Sequence, residues 1–244
     1  MRGRLLVGTS GFAYPGWAPR FYPPGLRGDH LLPYYASRLP AVELNNTFYG
    51  RPTAARIRAW VAATPPEFRF VVKAQRGSAT RALGPAAPDA VAWLTDGLDE
   101  FGERLGAVLF RVPQNVQRRD DGTSDRALAR LLAAWPPAIP LVVEFQHGSW
   151  HVDETFAALR TAGASLCATE LPEDEAAPTI RVTGPRLYLR LRRHDYGQAE
   201  LDAWAARIAP FLDAGLDALV FFRHDETGRG TELADGLRIA VGGD

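Results

Sequence analysis

The sequence predicts an α/β fold, a single TIM-type (β/α)8 barrel formed by residues 1–244, and three observations predict it. Short apolar runs alternate with helical patterns eight times along the chain, as parallel βαβ units do. The length of 244 residues, 46% of them hydrophobic, is what one such barrel uses. Several apolar runs carry one charged residue near their C-terminal end, the end at which barrels of this kind build their sites. An open doubly wound sheet would want a phosphate-binding Gly-rich turn after the first strand, and Gly8-Thr9-Ser10-Gly11 does not fit that fingerprint. No linker, low-complexity tract or short repeat divides the chain, so one domain is expected.

The first strand falls near Arg4–Thr9 and runs into a loop rich in glycine and aromatics, through Tyr14, Trp17 and Phe21-Tyr22-Pro23-Pro24-Gly25. Asp29 is positioned to cap a helix with Leu32, Tyr35 and Leu39 at helical spacing. The second strand is the run ending Val42-Glu43-Leu44-Asn45. Thr53 then opens a helix bearing Ile57, Trp60 and Val61, ended by Pro65-Pro66. Phe68–Ala74 is the third strand, followed by one helix with Val91, Leu94, Leu98, Phe101 and Leu105 on a face. Val108–Val112 is the fourth strand, and Ser124 opens the helix of Leu128, Leu131 and Leu132. Leu141–Phe145 is the fifth strand, and Asp153 caps a helix that Gly163 ends. Ser165–Thr169 is the sixth strand, and the acidic stretch 172–179 reads as a loop or a short, weak helix. Arg186–Leu191 is the seventh strand, before the clearest amphipathic helix (Leu201, Trp204, Ile208, Phe211, Leu212), closed by Gly215. Ala218–Phe222 and a helix through Leu233 and Leu237 complete the set.

Lys plus Arg and Asp plus Glu each count 28, so bulk charge points neither to nor away from nucleic acid. A lone cysteine, Cys167, excludes an internal disulfide framework and suits a reducing cytoplasm. No hydrophobic leader precedes the first strand and no apolar run reaches membrane-spanning length, so the expectation is a cytoplasmic protein without a membrane partner.

Collecting the strand ends gathers Thr9 and Ser10, Glu43 and Asn45, Lys73, Arg111, Glu144 and His147, Thr169 and Glu170, Arg190 and His194, and Arg223, His224 and Asp225. A carboxylate inside an apolar strand is costly unless paired or hydrogen-bonded. Glu43, Lys73, Glu144 and Arg190 are therefore expected to face one cavity, either as a site or as a structural ion-pair layer. His147 beside Glu144 suits a proton shuttle, a metal ligand or a simple hydrogen-bonding role. A metal held by His147, His194, His224, Glu144 and Asp225 lacks any compact ligand motif, and neither a metal nor another cofactor is expected. Tyr14, Trp17, Phe48, Tyr49 and Trp150 suit stacking on a ring or base, or simply covering the core.

Taken together, Gly8-Thr9-Ser10-Gly11 with Tyr14 and Trp17, Glu43-Leu44-Asn45-Asn46-Thr47-Phe48-Tyr49, Phe70-Val71-Val72-Lys73 and Glu144-Phe145-Gln146-His147-Gly148-Ser149-Trp150 resemble the domain of unknown function 72, or YecE-like, family. The resemblance spans the chain and implies a TIM-type barrel with a polar pocket at its strand ends, but no reaction. Glu43, Asn45, Thr47, Tyr49, Lys73, Glu144, His147, Trp150, Arg190 and Asp225 match the family pattern. Arg111, Arg192 and Arg223 stand where the family commonly has neutral or weakly basic groups, and Gln146 replaces an arginine beside the fifth-strand histidine. Two readings fit that exchange: an anion site whose cation has moved to Arg111 or Arg223, or arginine simply replacing other polar residues on a solvated rim.

The leading expectation is an enzyme acting by acid–base chemistry on a small anionic substrate. Glu43 or Glu144 is the base and His147 the shuttle; Thr9, Ser10, Tyr14, Trp17, Asn45, Thr47, Tyr49, Lys73, Arg111, Trp150, Arg190, Arg223 and Asp225 bind substrate. A metal-assisted phosphodiester hydrolase acting on nucleic acid and a non-catalytic ligand-binding barrel are the alternatives.

Overall fold

In the computed structural model, which describes residues 1–173 and 176–242, the eight strands pair in chain order and β8 closes on β1. The strands are β1 Leu5–Ser10, β2 Ala41–Leu44, β3 Arg69–Lys73, β4 Leu105–Val112, β5 Leu141–Phe145, β6 Ser165–Glu170, β7 Arg186–Leu191 and β8 Asp217–Phe222. Every pairing is parallel. The helices are α1 Leu31–Ala36, α2 Ala54–Ala62, α3 Ser78–Ala82, α4 Ala87–Thr95, α5 Thr123–Ala134, α6 Asp153–Thr161, α7 Gln198–Asp213 and α8 Arg229–Ala240. The barrel interior is filled low down by Leu6, Ala41, Val71, Ala107, Leu109, Val142, Cys167, Tyr188, Leu219 and Phe221. A larger apolar layer, including Trp60, Phe70 and Phe101, fills the space between strands and helices.

Strand alternation fixes which residues face the centre. Continuing along the inward face of each strand past the apolar plug, the positions point into the same end of the barrel, and there the side chains become Ser10, Glu43, Lys73, Arg111, Glu144, Thr169 and Arg190. Gly8 is required where β1 meets β2, because a Cβ there would lie 1.9 Å from the Ala41 carbonyl oxygen.

Several elements differ from the sequence reading. Asp153 does not cap α6 but is its first residue, with Val152 at the cap and no side-chain bond there, and the short helix α3 lies where the sequence after β3 reads as a Gly/Pro/Ala loop. Asp29 does not cap α1: it lies in a 3-10 turn, Gly28–His30, and His30 occupies the cap with no side-chain bond. The single helix expected through Val91 and Leu105 ends at Thr95. Gly97 (φ 75°) and Gly102 (φ 52°) take left-handed conformations, so Leu98 and Phe101 reach the core from a kinked 3-10 segment instead. The stretch 172–179 is turn and loop where described, and Asp174 and Glu175 lie outside the described residues; no helix joins β6 to β7 among the described residues. Thr53 does cap α2, accepting a hydrogen bond from the Arg56 N–H.

Candidate functional site at the C-terminal mouth

Arg190 ties the centre of the barrel mouth together. Its Nε donates to Glu43 Oε2 (3.0 Å), its Nη2 to Glu43 Oε1 (2.8 Å) and its Nη1 to Glu144 Oε1 (2.9 Å). All three side chains are buried. The remaining carboxylate lone pairs are also used. Ser10 Oγ (3.0 Å) and Tyr188 Oη (2.9 Å) donate to Glu43, while Thr169 Oγ1 (2.7 Å) and the Nε of Arg111 donate to Glu144. A buried ion cluster survives only when its hydrogen bonds are this complete.

Around that centre lie cations with donors to spare. Lys73 Nζ makes one hydrogen bond among the described residues, a long one to Asn45 Oδ1 (3.5 Å), and sits 4.5 Å from the Phe48 ring centroid. Arg192 spends Nη1 on Ser10 Oγ (3.0 Å), and Arg111 spends Nε on Glu144. Lys73, Arg111, Arg190 and Arg192 thus face Glu43 and Glu144, an excess of positive charge in a barely solvated space.

The charges respond to one another. Burial opposes ionisation of Glu43, but Arg190 and Lys73 overcome it and hold its pKa down at about 2. Glu144 is likewise held well below the usual carboxylate range, by Arg190 and Arg111 against its burial. Burial, reinforced by the neighbouring arginines and only partly offset by Glu43, brings Lys73 down to about 8. Burial and Arg190 bring Arg192 down to about 10.

A second link leads from Lys73 to the rim. Asn45 Nδ2 donates to the Ser10 carbonyl (2.9 Å) and lies 3.4 Å from His224 Nδ1, so one amide touches both Lys73 and His224. The His224 imidazole stacks on Tyr14 with centroids 5.1 Å apart and planes within 2°. Burial and the charges of Arg192 and Arg223 keep the His224 pKa below its ordinary value.

Of the residues singled out in the sequence, the fold brings Ser10, Tyr14, Glu43, Asn45, Lys73, Arg111, Glu144 and Arg190 to this mouth. Others serve the scaffold. Thr9 is buried with its hydroxyl between Tyr35 and the Gly11 carbonyl, and Thr47 Oγ1 bonds the Leu44 and Lys73 carbonyls. Trp17 and Trp150 are buried, their indole N–H groups donating to the carbonyls of Asp225 and Val116. Asp225 caps α8 by accepting from the Arg229 and Gly230 N–H groups. Tyr49 is 76% exposed. Arg223 reaches His194 (3.4 Å), and the imidazole of His147 bonds only Ser149 among the described residues, so neither is tied to the buried carboxylates. Glu170 points out of the barrel to Tyr196 and Trp204. No three His, Cys, Asp or Glu side chains converge to hold a metal among the described residues.

Tyr188 is a member that the sequence did not place at the site, although it lies two residues from Arg190, hence on its face of the strand. In the sequence His224 stood among the strand-end residues and Arg192 among the departures from the family pattern, but neither among those expected to bind substrate; their contacts with Asn45 and Ser10 are what the fold adds.

This geometry sits on a known scaffold. Residues 6–243 match the family described as protein of unknown function DUF72. The chain belongs to that family. It is 24% identical to the UPF0759 protein YunF of Bacillus subtilis (strain 168), the match covering 93% of this chain and 94% of the relative. A DUF72 family protein from Enterococcus faecalis V583 superposes with a TM-score of 0.80 at 18% identity, over 97% of this chain and 95% of that one. One from Thermotoga maritima MSB8 gives 0.76 at 23% identity, over 97% and 98%. These likenesses establish the DUF72 barrel as the shared fold. No helix of the described residues is long and apolar enough to cross a membrane.

Proposed function

We propose that this DUF72 barrel is an enzyme that binds a small organic anion at its C-terminal mouth and moves a proton on it, with Lys73 as the base and His224 as its neutral partner. The observation that carries this reading is Lys73 itself. It is a nearly buried ammonium with one long hydrogen bond and a pKa brought to about 8, surrounded by an excess of cations. An amine in that range exchanges protons near neutral pH without strong driving forces either way.

The carboxylates take a different role from the one their sequence positions suggest. Glu43 and Glu144 stay ionised at any ordinary pH and have their lone pairs filled, so they make poor bases. Their work is to hold Arg190, which in turn sets the field over the mouth. Arg111 and Arg192 offer the substrate's anionic group their unspent donors, a geometry suited to carboxylate or phosphate, and leave Lys73 to take the proton. Asn45 orients Lys73 and His224 toward the same reacting atom. His224, kept neutral, then donates to or accepts from the opposite side without adding a further charge. A cytoplasmic location is part of the proposal, on the strength of the unpaired Cys167.

Deuterium wash-in tests it. A panel of 2-oxo acids, 2-hydroxy acids and sugar phosphates is incubated with the protein in D2O and followed by proton NMR. Loss of a C–H signal is expected with wild type for one class of anion, reduced at least about 100-fold by Lys73→Met, the low end for a general base. Binding without exchange by any member would instead support a ligand-binding barrel.

A further inference from the structure

Beside the mouth, one pair of neighbouring strands in the closed barrel is joined by only a short ladder. β4 and β5 pair over five residues, ending with Arg111 opposite Glu144 and Val112 opposite Phe145. β5 and β6 pair over only two, Val142 with Ser165 and Val143 with Leu166. Beyond that point the paired register ends, and Glu144 and Thr169 meet across this gap in the ladder through a side-chain bond of 2.7 Å.

A cavity of about 480 Å³ occupies the gap. Residues from both faces of the strands border it. Glu144 and Thr169 come from the barrel interior; Phe145, Leu166 and Ala168 come from the outer face, with Pro178 from the loop after β6. The inner end is therefore the same carboxylate that Arg111 and Arg190 grip, and the outer part combines apolar side chains with the polar groups of Gln146, His151 and Arg181. Three larger depressions, about 1050 Å³ along α4 and α5, about 780 Å³ at the strand N-termini and about 640 Å³ beside the start of α5, include no member of the charge cluster.

We infer that this cavity receives an apolar group carried by the substrate, so that the protein selects amphipathic anions: an aryl or branched alkyl body with a phosphate or carboxylate head. The inference rests on the proposed anion-binding mouth and adds the specificity element. Its physical basis is continuity. A head group on the free donors of Arg111 lies next to Glu144, and Glu144 lines the cavity, so a short linker carries the body through the wall. The volume is within the range of small-molecule sites and suits a single ring with substituents. Phe145, Leu166, Ala168, Leu171 and Pro178 reward burial of hydrocarbon on their side of the cavity, and the polar groups that share the lining, Arg181 and His151 among them, border it elsewhere.

Calorimetric titration with methylphosphonate and phenylphosphonate, and in parallel acetate and benzoate, separates the two ideas. The aryl member of the pair whose head group fits is expected to bind roughly 10- to 100-fold tighter than its methyl partner, the range for burying one ring. Two variants fill the cavity. Gly148 borders it, is exposed, has no positive φ and no atom within 4 Å of an added Cβ, so Gly148→Phe places a ring at its opening without strain. Ala168→Leu fills it from the strand. Either is expected to abolish the aryl advantage while leaving the methyl anion's affinity unchanged. Equal binding of methyl and aryl anions to wild type, or an aryl advantage that survives Gly148→Phe, overturns the cavity assignment and leaves the mouth intact. No binding of any of the four overturns the anion reading, and this inference with it.

Discussion

Arg190 and Glu43 form a two-pronged ion pair, Nε to Oε2 at 3.0 Å and Nη2 to Oε1 at 2.8 Å, and the same guanidinium turns its third nitrogen to Glu144. The fork geometry makes one arginine the common counter-ion of two carboxylates from opposite parts of the barrel. It explains why the chain tolerates acids inside apolar strands. It also explains why neither acid is available as a base.

Glu144→Gln is expected to lower stability by about 3–5 kcal/mol, because Arg111 loses its charged partner and Arg190 loses one of two. Urea unfolding at neutral pH reads the loss. Sulfate affinity, measured on the same variant, is expected to rise as the cation excess grows. An unchanged midpoint would mean that the cluster contributes little to folding.

Glu43 also makes a pH signature. Its folded pKa of about 2 lies below the ordinary 4.5, so its contribution is fully present above pH 4.5 and is lost as pH falls toward 2. The size is about 3 kcal/mol, from roughly 1.4 kcal/mol per pH unit. In Glu43→Gln the unfolding free energy should fall less steeply across that window than in wild type. Parallel profiles in guanidinium titrations between pH 2 and 5 would contradict it.

How much of this was legible in the sequence follows from range. A charge in an apolar run is a local signal, and it placed Glu43, Lys73, Glu144 and Arg190 at one end of the barrel. Eight alternating units were equally local. The kinked segment after α4 was misread because Leu98 and Phe101 keep a helical spacing while Gly97 and Gly102 break the backbone. The sharing of Arg190 by two acids was not legible, since it depends on the stagger of strands that place Arg190 147 residues from Glu43 and 46 from Glu144 in the chain. Motif aromatics misled for a related reason: Trp17 and Trp150 belong to the mouth by sequence, yet each is folded under with its N–H spent on a loop carbonyl.

Asp225 separates scaffold from site. Its carboxylate accepts from Thr227 N (2.6 Å), Thr227 Oγ1 (2.8 Å), Arg229 N (3.1 Å) and Gly230 N (2.8 Å), which secures the loop after β8 and the start of α8. Asp225→Ala is expected to cost about 1–2 kcal/mol, as loss of a helix cap does. Sulfate affinity should stay within twofold of wild type. A tenfold loss of affinity with little change in stability would return Asp225 to the binding residues.

Lys73 is expected to titrate near neutral pH inside an anion-binding mouth, and sulfate, which keeps its charge across this range, reports on it. Calorimetric sulfate affinity of wild type and Lys73→Met is measured from pH 6.5 to 9.5. The account predicts a plateau below pH 8 for wild type, then a fall approaching tenfold per pH unit as the free ammonium loses its proton, with a weaker and flat profile in Lys73→Met through pH 9. A wild-type affinity that does not change between pH 7 and 9, or one that Lys73→Met leaves untouched, would contradict it.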